Sequence, residues 1–127
     1  MRAKVASIAI TLPIIILLGA FFMAYTQNTS VKYIHTVEQL ERHVKNQQWD
    51  QARQVLTDMH ASWESKKPLL QLWVVHADTD NVSKYMKEAQ VGLMLQDESV
   101  LFLSTANLIE SLYHLHHKDD LNLANII

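Results

Sequence analysis

The chain has 127 residues, no cysteine, two glycines, two prolines and a net charge of −2. Without cysteine it forms no disulfide, holds no thiolate-ligated zinc, has no catalytic thiolate and takes no lipid on a Cys anchor. So few turn residues disfavour a β-rich fold and point to an all-α chain. All 13 acidic residues lie in 31–127 against nine basic ones, a net −4. That balance argues against nucleic acid and against flat docking on anionic head groups, both of which need a basic surface.

Met1 to Lys4 is a short positive flank carrying Arg2 and Lys4. It should stay cytoplasmic, which places residues 31–127 outside the membrane. Val5 to Tyr25 (VASIAITLPIIILLGAFFMAY) carries no charge and includes Pro13 and Gly19. About 20 such residues rising about 1.5 Å each cross a hydrocarbon core of about 30 Å, so 5–25 reads as a transmembrane signal-anchor helix. A cleaved signal peptide is the rival, but its apolar region is usually shorter, and Ala24-Tyr25-Thr26 is a weak cleavage site. Pro13 should bend or loosen the span near Ala9. Ala20 and Ala24 form one small-xxx-small pair, weak support for helix pairing. Thr26 to Ser30 (TQNTS) is a polar juncture with good N-cap residues. It reads as a juxtamembrane linker, with an unbroken helix as the alternative.

Residues 31–127 suffice for one small domain. Tyr33, Val37, Leu40 and Val44 step 4, 3, 4, one helical face. Asn46-Gln47-Gln48 breaks it. Trp49, Ala52, Leu56, Met59 and Trp63 mark a second helix, which Lys66-Lys67-Pro68 should end. Pro68 also suits the first turn of a third helix. That helix is expected to be the longest, with a seam of Leu72, Val75, Thr79, Val82, Met86, Ala89 and Leu93, widened by Leu69 and Trp73. Asp97 is a plausible N-cap for a fourth helix with Leu101, Thr105, Leu108, Leu112 and Leu115 inward. Phe102 and Ile109 broaden that stripe, and Lys118-Asp119-Asp120 should close the helix. The apolar tail LNLANII is expected to pack back on the domain. Short loops between amphipathic helices force antiparallel neighbours, hence an up-and-down four-helix domain of helical hairpins behind the N-terminal transmembrane helix. Trp49, Ala52, Leu56, Trp63, Trp73, Val82, Met86, Leu108 and Leu112 are the expected core. A single hairpin with tetratricopeptide-like features has no second copy and a spacing too long for that repeat.

Seven histidines are more than usual for this length. His114, His116 and His117 cluster ahead of Asp119 and Asp120, and His76 shares a helix face with Asp80. Together, His76, Asp80, His114 and His117 could hold zinc or a similar ion, which imidazole and carboxylate suit. The plainer reading makes His76 a buried side chain bonded to Asp80. His114 and His117 would then be the solvated end of a helix, favoured there by its dipole. His35, His43 and His60 read as surface residues. A seven-histidine pH sensor is conceivable, with nothing in the spacing to single it out. No nucleophile motif, phosphate loop or HExxH occurs, and no cofactor motif is present.

Trp49-x-x-Ala52 opening a helix, Trp63 closing it, Trp73-x-x-His76-x-x-x-Asp80, and the ending Leu121-x-Leu123-x-Asn125-Ile126-Ile127 occur here in order. In this the chain resembles an uncharacterised family of short single-span membrane proteins from Gram-positive spore-forming bacteria. The resemblance covers nearly the whole chain. It implies the topology above, no established activity, and a link to a multi-span membrane protein of a second uncharacterised family. The expected function is a non-enzymatic interaction module anchored at the outer face of the cytoplasmic membrane, acting with a membrane protein partner or as a homo-oligomer. The alternative is an extracytoplasmic metal- or ligand-binding sensor using the His/Asp cluster. An extracytoplasmic hydrolase ranks last, to be revived by a His, a carboxylate and a hydroxyl meeting in one cleft.

Overall fold

The computed structural model describes residues 1–126, with side chains as far as His116. Four α-helices follow one another: α1 (Arg2–Lys45), α2 (Trp49–Leu70), α3 (His76–Leu95) and α4 (Glu98–Ile126). Among the described residues the fold is all-α. Packing runs around a ring: α1 on α2, α2 on α3, α3 on α4 and α4 on α1, with no diagonal pair among the described residues. With connections of only a few residues, that ring is the expected up-and-down arrangement.

The longest helix is α1, not α3. Thr26 to Ser30 form no separate linker, because α1 passes through them unbroken. Burial keeps them helical: Thr26, Thr29 and Ser30 lie against the bundle, so tertiary packing outweighs their modest propensity. The Thr26 hydroxyl is satisfied within the helix, donating to the Phe22 carbonyl at 2.8 Å. The helix continues across Pro13 as well. The stretch N-terminal to the bundle is the one described helix long and apolar enough to cross a membrane, and its apolar window is entirely unburied.

Inside the bundle the periodic faces meet. Val37, Leu40 and Val44 of α1, Ala52, Leu56 and Trp63 of α2, Val82, Met86 and Ala89 of α3, and Leu101, Leu108 and Leu112 of α4 are all buried. Trp49 and Trp73 lie at the edge, half-buried against this core. The corners obey local rules. Gln47 turns the chain between α1 and α2 with φ 58°, and Gln96 does the same between α3 and α4 with φ 50°. Asp97 Oδ1 accepts the Val100 amide at 3.1 Å, the N-cap bond its position called for.

The boundary between α2 and α3 differs from expectation. Pro68 lies inside α2, which ends two residues later at Leu70. Proline so near the C-terminus forfeits a single helical donor, to the Glu64 carbonyl, and the chain tolerates that loss. The break falls at 71–75 instead, and α3 starts only at His76. Leu72 and Val75 therefore leave the seam and stand exposed at 77% and 57%. At the other end, α4 extends beyond Lys118-Asp119-Asp120, the expected stop. The packing of the tail 121–127 lies outside the described residues.

Candidate functional site

The bundle's polar side chains concentrate where α2 faces α3. The Trp63 indole Nε1 donates to Ser83 Oγ at 2.9 Å, and both residues are buried. Ser83 Oγ in turn donates to Glu64 Oε1 at 3.1 Å. His60 Nε2 lies 3.5 Å from the same carboxylate oxygen, its side chain three-quarters covered. One turn on, Lys67 Nζ binds Asp80 Oδ1 at 2.8 Å. That ammonium holds the Asp80 carboxyl below its ordinary value, against a smaller upward push from burial. Gln71 Nε2 donates to Thr79 Oγ1 at 3.0 Å, which donates to the His76 carbonyl at 2.9 Å. On the α1 side, the Tyr33 and Ser62 hydroxyls share a hydrogen bond of 2.8 Å, and the Tyr33 ring meets Trp63 edge to face. Burial pushes the Tyr33 phenol up, more than the Ser62 bond draws it down.

A His, a carboxylate and a hydroxyl do approach one another at His60, Glu64 and Ser83. Their order is wrong for nucleophilic catalysis. The carboxylate stands between the other two, whereas a base must stand between carboxylate and nucleophile. Ser83 is also 5% exposed and receives an indole N–H. The group acts as a clamp between two helices. His60 lies beside it, its Nε2 buried without a hydrogen bond, and is no ordinary surface residue. The signal for it was faint: His60 and Glu64 are one turn apart and flank the inward Trp63, but Ser83 is 20 positions from Trp63.

Among the described residues the metal candidates do not assemble. His76 and Asp80 are both exposed in the first turns of α3. His76 is thus not the buried partner of Asp80, whose bond goes to Lys67. His114 is exposed and lies 3.6 Å from Glu110, one turn back on its own helix. Among the described residues no group of three or more His, Asp or Glu could hold a metal ion. His117 lies outside the described side chains. His35 and His43 are local surface residues, 3.6 Å from Glu38 and 2.8 Å from Gln48.

At the bundle end nearest the apolar run, Trp73 turns inward. Its Nε1 donates to Thr26 Oγ1 at 2.7 Å, and its ring stacks on Phe22 at 4.4 Å between centroids. Tyr25 meets the same indole edge-on at 6.0 Å. A shallow cleft at the opposite end, lined by Arg53, Leu56, Thr57, Gln90, Leu93 and Met94, offers one charge, and Asp50 already pairs with it.

These features define an all-α four-helix protein with one candidate membrane helix. The chain belongs to the DUF4363 family, a domain of unknown function, whose model matches residues 20–126. The matched unit thus includes Phe22, Tyr25 and Thr26, which the bundle engages through Trp73. No curated protein and no solved structure matches the chain.

Proposed function

We propose that the chain is a non-enzymatic, membrane-anchored interaction module. Val5 to Tyr25 spans the cytoplasmic membrane with Arg2 and Lys4 inside, and the four-helix domain stands at the outer face. The resemblance to single-span proteins of Gram-positive spore-formers supports that location. The observation that carries the reading is the unbroken course of α1 from the apolar run into the bundle core. A tether for a freely diffusing enzyme needs slack, and this junction has none. The domain is held at a fixed height and angle, which suits docking on a membrane protein or on a second copy. Val91, Met94, Leu95 and Leu103 supply exposed apolar side chains for such a contact.

The chain has no cysteine, so Met94→Cys provides a single attachment point for a photo-crosslinker on the full chain in native membranes. The expected result is one discrete adduct, at twice the monomer mass for a second copy or at another defined mass for a partner. The same crosslinker on Lys84→Cys should give none. Uncrosslinked monomer alone, from membranes and under gentle detergent, sinks the proposal.

A further inference from the structure

The end of α2 and the turn that follows it are unusual for a corner facing water. Leu69-Leu70-Gln71-Leu72-Trp73-Val74-Val75 contains no charge and one polar residue. Leu70 and Val74 are buried, while Leu69, Leu72 and Val75 are exposed at 47%, 77% and 57%. Its place along α1 is set by Trp73, which stacks on Phe22 and donates to Thr26. Phe22 lies within the apolar run and Thr26 directly follows it. The exposed aliphatic side chains therefore sit level with the point where the span leaves hydrocarbon. A tryptophan with its indole N–H satisfied is the residue type favoured at that depth.

We infer that this turn is a second membrane contact, with Leu69, Leu72 and Val75 immersed in the acyl-chain boundary of the outer leaflet beside the span. The occupant of the surface is lipid, and the contact is apolar rather than electrostatic, because the domain is acidic. It lays the bundle's lower end on the bilayer instead of holding it clear on a stalk. The inference rests on the reading of Val5 to Tyr25 as a span.

The test uses the full chain in phosphatidylcholine vesicles. An environment-sensitive fluorophore is attached to Ile16→Cys, Leu72→Cys or Lys84→Cys in separate preparations. Nitroxide-labelled lipids carry the quencher shallow or deep in the acyl chain, and iodide quenches from water. The expected result is a loss of emission from position 72 with shallow nitroxide, from position 16 with deep nitroxide, and from position 84 with iodide alone. If position 72 responds to iodide as position 84 does, while position 16 responds to lipid, the contact is refuted and the span stands. If position 72 is shielded from both quenchers, protein covers the turn and the inference is overturned. If position 16 is untouched by lipid quencher, the span itself fails and the inference falls with it.

Discussion

The Ser83 hydroxyl accepts the Trp63 indole at 2.9 Å and donates to Glu64 at 3.1 Å, so one oxygen satisfies a buried donor and a carboxylate across α2 and α3. Removing it leaves the indole N–H with no partner in a fully buried place, and unmet buried donors cost more than the net worth of a hydrogen bond. Ser83→Ala should therefore destabilise the fold by about 1–3 kcal/mol in urea or thermal unfolding. Adding Trp63→Phe to that variant removes the orphaned donor, so the double variant should lose less than the sum of the two single losses. Strict additivity would mean that the bond carries no coupling. This clamp was hard to read from the chain. Trp63 was legible as an inward residue from its spacing, but its polar partner is chosen by the register of α2 on α3. The metal reading finds no support among the described residues for a related reason. His76 and Asp80 share a helix face, yet Lys67, contributed by α2, takes the carboxylate at 2.8 Å.

Along each element, the inward faces of α1, α2 and α4 were legible because burial imposes a 3.6-residue period on apolar positions. The α2–α3 boundary was not. Leu69, Leu72, Trp73 and Val75 are apolar at helical spacing without being core, and Pro68 sits where a helix end can absorb it. Gly92 was also silent in the pattern. A Cβ there would lie 2.9 Å from both the Cα and the amide nitrogen of Leu101. No rotamer change relieves a clash with backbone, so α3 and α4 would have to separate. Gly92→Ala should lower stability by about 1–3 kcal/mol through overpacking, despite a helix-propensity gain of up to about 1 kcal/mol. Gly19→Ala, with nothing within 4 Å of the added carbon, supplies the control and should leave the melting temperature unlowered. Equal effects at the two glycines would contradict the close approach of α3 and α4.

For the molecule as a whole, the continuity of α1 joins the apolar run and the bundle into one body. Amide hydrogen exchange on the full chain in detergent micelles should find residues 26–30 protected as strongly as 33–44. A flexible linker would exchange there as fast as a frayed end, which would overturn the continuous helix. That continuity also has a mechanical side. From Thr26 to Lys45 the helix rises about 30 Å at about 1.5 Å per residue. Lys45 Nζ sits 5.8 Å over the Phe102 ring, which brings the top of α1 beside the start of α4. If Val5 to Tyr25 spans a bilayer as proposed, a thickness mismatch that tilts it by about 20° swings that top sideways by about 10 Å, as on a lever. The displacement is smallest near Trp73 and largest near Met94 and Leu95. On that proposal, the continuous helix converts bilayer thickness into the lateral position of the outermost apolar side chains.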